Sequence, residues 1–168
     1  MIKMMEEYKE GGYYMKIGII VHSHTGNTLS VAQKIKESLT WAGHPVNIEQ
    51  VTTVNEDPKE VKNIELKDIP DTSKYDLIIF GAPVWAFSLS PIMKLYLSQI
   101  SSLQGKKIGC YVTQQLRFKF MGGSGAIGQM KKACQSKGGS IYETGIISWS
   151  NKQRDARIDE LVQKLSKV

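Results

Sequence analysis

Residues 13–28, YYMKIGIIVHSHTGNT, decide the fold. The opening YYMKIGIIV is a run rich in β-branched residues and of strand length. A polar turn containing Gly26 follows it. Behind the turn Leu29, Ala32, Ile35 and Leu39 recur at three- and four-residue spacing, which marks one buried helical face. Gly43 ends that helix. Residues 46–54 alternate through Val46 and Ile48 before a slip and supply a second strand, so the chain opens as a β-α-β unit.

The same rhythm continues outward. Residues 55–74 are polar, carry Pro58 and Pro70, and read as a loop with at most one short helix. Residues 76–80, DLIIF, form an unbroken apolar strand that Gly81 and Pro83 are expected to stop. Continuous apolar strands belong to parallel sheets covered on both faces. Ser90-Pro91 opens a helix, Ser as N-cap and Pro at its first position, with Ile92, Leu95, Tyr96 and Ile100 as the buried stripe. Residues 107–113, KIGCYVT, form the fourth strand. A long loop over 114–123 leads to a helix near 124–137 with Ile127, Met130 and Cys134 inward, ended by Gly138-Gly139. Residues 141–149 are the fifth strand, and Ile158, Leu161, Val162 and Leu165 define a closing helix. Strands alternating with helices predict an α/β class, a doubly wound five-stranded parallel sheet with helices on both faces. In such sheets ligands sit at the carboxyl ends of the strands, where strand order reverses.

Composition narrows the class. At 168 residues the chain is one domain, large enough to build a core without a disulfide or metal staple. Cys110 and Cys134 lie in apolar surroundings without CxxC spacing, so they read as free buried thiols of a reducing, cytoplasmic compartment. No apolar run reaches the roughly 18 residues that a membrane span needs. Lysine and arginine number 22 against 16 acidic residues, a net charge of +6, but they are spread along the chain. The charge therefore reads as a mildly positive surface, and neither nucleic acid nor membrane is expected as a partner. The first residues, MIKMMEEYKEGGYY, have no apolar h-region and no periodicity. Codons for residues 9–12 (Lys-Glu-Gly-Gly) readily spell a purine-rich ribosome-binding site just before that of Met15. Residues 1–14 are thus expected to be a short extension or an untranslated leader, and 15–168 the domain.

Three loops carry candidate chemistry. After strand one, Ser23, His24, Thr25, Gly26, Asn27 and Thr28 put four side-chain donors between a strand and a helix amino end. Free N–H groups and the helix dipole make that place an anion site, and Gly26 allows close backbone approach. The alternative is a plain N-cap cluster. No GxxxxGK[ST] is present, so nucleoside triphosphates are not indicated. After strand three, Pro83, Val84, Trp85, Ala86 and Phe87 offer two large aromatics as a stacking wall for a planar ligand. After strand four, the irregular stretch 113–123 offers Thr113, Gln114, Gln115, two further aromatics and the cations Arg117 and Lys119, closing on Gly122-Gly123. Its alternative is a surface flap with Phe118 and Phe120 packed on the core.

With these three loops in order, each behind its own strand, the chain resembles the flavodoxin family over about residues 15–168. S-H-T-G-N-T is similar to that family's phosphate loop, G-A-P-V-W to its second, flavin-contacting loop, and 113–123 lies where its third loop lies. The resemblance implies strand order 2-1-3-4-5 and non-covalent FMN as cofactor. It implies that Ser23, Thr25, Gly26, Asn27 and Thr28, with the His24 backbone, hold the 5′-phosphate. Residues 83–87 would border the isoalloxazine, Trp85 stacking, and Thr113, Gln114 and Gln115 would meet the pyrimidine edge. Two departures are visible. Flavodoxin shuttles are acidic and this chain is basic, and the third loop carries Arg117 and Lys119 with Phe instead of Tyr. Cations beside the pyrimidine edge favour an anionic reduced flavin. The expected function is therefore an FMN-dependent reductase, passing electrons from a donor such as NAD(P)H to a quinone or other small acceptor. The alternative is a non-enzymatic carrier between redox proteins. A monomer or homodimer is expected.

Two further signals are set aside. Residues 123–128 fit G-x-G-x-x-G, with Glu143 twenty residues past Gly123, but the stretch does not follow its strand directly. His22 and His24 share one side of an extended segment, yet no Cys, Asp or Glu lies near them, and His22 reads as a polar strand end.

Overall fold

The computed structural model describes residues 14–55 and 61–168. Residues 1–13, with most of the expected extension, and Pro58 lie outside the described residues. The elements run β1 (Ile17–Val21), α1 (Asn27–Trp41), β2 (Val46–Gln50), two single 3₁₀ turns (Val61–Asn63 and Thr72–Lys74), β3 (Leu77–Trp85), β4 (Ser88–Leu89), α2 (Pro91–Gln99), β5 (Lys107–Gln114), α3 (Gly123–Ser136), β6 (Ser140–Ser148) and α4 (Arg154–Leu165). Strands β2-β1-β3-β5-β6 form the parallel sheet, and the two-residue β4 pairs antiparallel with β3. With β4 counted apart, this is the expected order 2-1-3-4-5.

Alternation of side chains along each strand splits the core in two. Ile20, Ile78, Phe80, Ile108, Cys110 and Val112 face α2 and α3. Ile17, Ile19, Val21, Leu77, Ile79 and Tyr111 face α1 and α4. Covering both faces is why the strands read as unbroken apolar runs. Cys110 and Cys134 are both free and buried. A hydrogen bond with Cys134, and burial, push the Cys110 thiol well above its ordinary range.

Besides β1, which begins at Ile17 where the sequence reading starts a strand at Tyr13 (itself outside the described residues), three features differ from the sequence reading. The expected second strand stops at Gln50, and Thr53 only bridges Leu66. Along α2 the buried side chains are Ile92, Met93, Tyr96 and Leu97, whereas Leu95 is half-exposed. The third difference shapes the site: β3 passes through Gly81 and Pro83 and ends only at Trp85. Gly81 bonds toward β1, accepting the His22 N–H at 3.0 Å, so by alternation Pro83 faces the same side. There β1 has already ended, and the missing N–H of Pro83 interrupts no ladder bond. The Pro83 carbonyl accepts instead from Ser90 N–H at 3.0 Å.

Candidate functional site

The first loop leaves β1 at His22 and enters α1 through Gly26, whose φ of +93° is left-handed. A Cβ at Gly26 would meet nothing within 4 Å, so the turn requires glycine for its backbone and opens onto free space. Gly26, at the N-cap, offers no side chain to cap α1, and the first turn holds no acidic residue. Ser23 Oγ accepts the Leu29 N–H at 3.2 Å. Among the described residues the N–H groups of Gly26, Asn27 and Thr28 have no partner, which leaves them for an anion. His24, Thr25 and Gly26 are exposed, and Ser23 and Asn27 half-buried. Thr28 is buried and its hydroxyl shares a 2.8 Å hydrogen bond with Thr113 Oγ1 on β5. Tyr111, also on β5, donates its hydroxyl to the Thr28 carbonyl at 2.7 Å. Two buried bonds therefore lock the foot of α1 onto the strand that feeds the third loop.

The second loop is the projecting end of β3. Trp85 pairs with Ser88 across a two-residue turn, Ala86 and Phe87, both at positive φ (+47° and +61°). Positive φ at both central residues matches the twist of a tight hairpin, but non-glycine residues hold it only at a cost of about 1–3 kcal/mol each. The neighbours that hold it are visible. Gln129 Oε1 on α3 accepts from Leu89 N–H (2.9 Å) and Ser88 Oγ (3.0 Å), and Lys94 Nζ donates to Ser88 Oγ at 2.7 Å. The hairpin also presses on the third loop. A Cβ at Gly122, φ +113°, would stand 2.8 Å from both Phe87 Cα and Val84 Cγ1.

Trp85 is half-buried against two imidazoles, edge-on to His22 (centroids 5.1 Å) and to His24 (5.7 Å). The His22 ring is buried, and its Nδ1 shares a 2.7 Å hydrogen bond with Ser90 Oγ, the N-cap of α2. Burial, with His24 beside it, draws the His22 pKa down from 6.5 to about 4, so it is neutral at pH 7. Sequence reading set His22 aside and did not single out Ser90, Tyr111 or Gln129 for the site; nothing in their local pattern distinguishes them from strand or cap residues. A cleft of about 210 Å³ opens on the β2 side of Trp85, between His22, Ser23, His24 and the segment after β2. Among the described residues no group of three or more His, Cys, Asp or Glu is placed to hold a metal ion.

The third loop folds on Gln114. This side chain is buried and its Nε2 donates to Leu116 O (2.8 Å), Phe118 O (2.8 Å) and Ser148 Oγ (3.0 Å). Gln115 is exposed. Gly122 and Gly123 are buried at the entry to α3. Phe118 and Phe120 do not pack on the core: they stack on each other (5.4 Å, 8° between planes) and stay 48% and 77% exposed. Arg117 and Lys119 line a cleft of about 160 Å³ formed with β6 and α4. Gln114 causes this, because tying down the Leu116 and Phe118 carbonyls folds the loop toward Ser148 at the end of β6. In the G-x-G-x-x-G stretch, Gly125 and Gly128 would accept a Cβ with nothing within 4 Å, and the whole stretch lies inside α3. Its one close approach is at Gly123, where a Cβ would stand 2.5 Å from Gln114 Oε1 and 2.8 Å from Ile146 Cγ2; that contact packs the start of α3 on β5 and β6 and is not a tight strand-to-helix turn of the dinucleotide kind.

The site thus gathers the first loop, the end of β3 and the root of the third loop at the carboxyl end of the sheet, where β1 and β3 lead to opposite sides. A family model described as a flavodoxin domain matches residues 18–137. No curated protein matches the chain. Many solved structures do. Oxidised flavodoxin 1 from Bacillus cereus superposes with a TM-score of 0.66 at 19% identity, covering 90% of this chain and 97% of its own. Two-electron-reduced Megasphaera elsdenii flavodoxin gives 0.65 at 19% identity over 90% and 99%. A flavoprotein from Lactobacillus acidophilus, in complex with FMN, gives 0.60 at 18% identity over 88% and 98%. The structural likeness supports the fold, and the family match takes in the first two loops and the third, so the chain belongs to the flavodoxin-domain family.

Proposed function

We propose that the chain binds FMN non-covalently at the carboxyl end of the sheet and works in electron transfer. It would take electrons from a reduced donor, NAD(P)H or a redox protein, and pass them to a quinone, another small acceptor or a protein. The observation that carries this reading is the row of N–H groups of residues 26–28 without a partner among the described residues at the amino end of α1, opened by Gly26 among hydroxyl side chains, beside the carboxyl end of β3 where Trp85 packs on His22 and His24. The bound FMN of the Lactobacillus acidophilus flavoprotein and the family match support the same cofactor.

In this reading the N–H groups of residues 26–28, with Ser23, Thr25 and Asn27, hold the phosphate. Trp85 and its neighbours Pro83, Val84, Ala86 and Phe87 border the ring system. Thr113 and Gln115 lie at its pyrimidine side, and Gly122-Gly123 let the loops close together. Thr28 acts by positioning, since its hydroxyl already holds Thr113. Gln114 positions the third loop through Nε2, and its buried Oε1, which has no partner among the described residues, remains an acceptor for the pyrimidine side. FMN supplies the redox chemistry; the chain supplies binding, orientation and electrostatics. Neutral His22 keeps a buried charge away from the underside of Trp85.

Electrons have two routes, a small acceptor or a protein partner. The exposed aromatic pair of the third loop and the turning of Arg117 and Lys119 toward β6 and α4 favour the protein. Titration of the full chain with FMN, followed by visible absorption and emission, tests the cofactor; a spectrum that stays that of free FMN refutes it. Anaerobic assays of the loaded protein with NAD(P)H and a quinone separate the routes. Turnover by the protein alone gives the reductase, and strict dependence on a separate reductase gives the carrier.

A further inference from the structure

We propose that the cleft between the third loop, β6 and α4 docks an acidic redox protein. The partner's redox role rests on the electron-transfer reading; the docking does not. Four cations line this cleft, Arg117, Lys119, Arg157 and Lys164, against one carboxylate, Glu160. Glu160 is shared, 3.5 Å from Arg157 and 3.3 Å from Lys164. Among the described residues Arg117 and Lys119 form no ion pair. The cleft therefore has an excess of donors, and what it lacks is carboxylate oxygen.

An apolar anchor stands at its rim. Arg117 lies 5.5 Å over the Phe118 ring, and Phe118 stacks on Phe120, so guanidinium and two rings form one exposed layered unit. Leu116 (43% exposed) adds to it. Exposed aromatics beside arginine are the composition of interface hot spots, and a cation ring around them steers an oppositely charged partner. At about 160 Å³ the cleft falls short of the roughly 300 Å³ at which small-molecule sites begin, and suits partner side chains better than a whole ligand. The chain carries +6 overall, so a second copy presenting the same face would be repelled. The surface is also joined to the proposed cofactor site. The loop that carries it starts beside Thr113, which bonds to Thr28 of the first loop.

The test is an NMR titration of the ¹⁵N-labelled full chain, FMN-free and FMN-loaded, with oxidised plant-type ferredoxin as the acidic probe and cytochrome c as the basic control. Ferredoxin is expected to shift residues 116–120, 144–151 and 157–164. Arg117→Glu with Lys119→Glu should weaken it at least tenfold, and Arg157→Gln with Lys164→Gln several-fold, each variant's own spectrum reporting its fold. Raising salt from about 20 to 200 mM should weaken it as well, since the Debye length then falls below about 10 Å. Several results overturn the proposal: no shifts with ferredoxin, shifts centred on α1 or β2, equal affinity in the charge-reversed variant, or preference for cytochrome c at this face. So do displacement of ferredoxin by inorganic phosphate alone, which makes the cleft a small-anion site, and concentration-dependent shifts of the same residues without probe, which make it a self-contact. If FMN fails to bind while ferredoxin still maps to the cleft of the FMN-free chain, the cofactor reading falls and the docking surface stands. If FMN binds and ferredoxin misses the cleft, the docking surface falls and the cofactor reading stands.

Discussion

Replacing Gly26 by valine separates recognition of a phosphate from recognition of a flat ring. Gly26 sits at φ +93° and is the residue through which α1 begins. A Cβ there would touch nothing within 4 Å, so the substitution causes no clash and acts through the backbone alone. Holding an L-residue left-handed costs about 1–2 kcal/mol, and more for a β-branched one. The variant either carries that strain, with a lower melting temperature, or rotates the peptide at residue 26 and swings its N–H away from the anion. A charge-assisted hydrogen bond contributes about 1.5–3 kcal/mol, so misdirecting one weakens FMN at least tenfold. Riboflavin has the same ring system without the phosphate, and its affinity should change by less than about twofold. Thr25→Val should act in the same direction by removing an exposed hydroxyl from the loop. Fluorescence titrations of both ligands on wild type, Gly26→Val and Thr25→Val make the comparison. Equal losses for FMN and riboflavin would refute the phosphate assignment, because then the substitution acts on the whole site.

His22 should make stability depend on pH. Its folded pKa lies below its unfolded one, so the unfolded chain binds the extra proton and stability falls as pH drops from 6.5 toward 4, by up to about 3 kcal/mol, being fully present above 6.5. Urea midpoints at pH 7 and 4.5 check this, and His22→Asn should flatten the difference. Thr28→Val leaves the Thr113 hydroxyl without its buried partner and should cost about 1–2 kcal/mol in denaturant unfolding, with a smaller loss if the pair is unimportant to the fold. Trp85→Ala should restore part of the emission quenched in bound FMN; unchanged bound-state emission would mean that the indole lies away from the ring.

The parallel sheet was legible because burial on both faces writes itself into sequence as the apolar runs IGIIV and LIIF, and helix α2 because Ser90-Pro91 is an amino-terminal signal with a physical cause; the strand order came only with the resemblance to the flavodoxin family. The end of β3 was not legible. Pro83 reads as a strand stop until one knows that β1 has already ended beside it, a fact about a neighbour sixty residues away. The buried stripe of α2 was misread at Leu95 for a similar reason: which of two adjacent apolar positions faces inward depends on how the helix is rotated against the sheet. The loops were found from residue type and position. The direction of Arg117 and Lys119 was not, because it is fixed by one amide, Gln114, reaching back to two carbonyls of its own loop and to Ser148 on β6.

The unequal lengths of β1 and β3 have a further consequence. Past Gly81, the last residue paired with β1, β3 continues through residues 82–85, a step of about 13 Å at 3.3 Å per residue. The overhang would present an unpaired strand edge on its β1 side, and the chain closes that edge itself: residues 88–89 turn back and pair with 84–85, and Ser90 N–H takes the Pro83 carbonyl. The two-residue β4 is thus an edge guard. It denies a second chain the row of backbone groups to which an added strand would pair, at the place where β1 and β3 end at different heights.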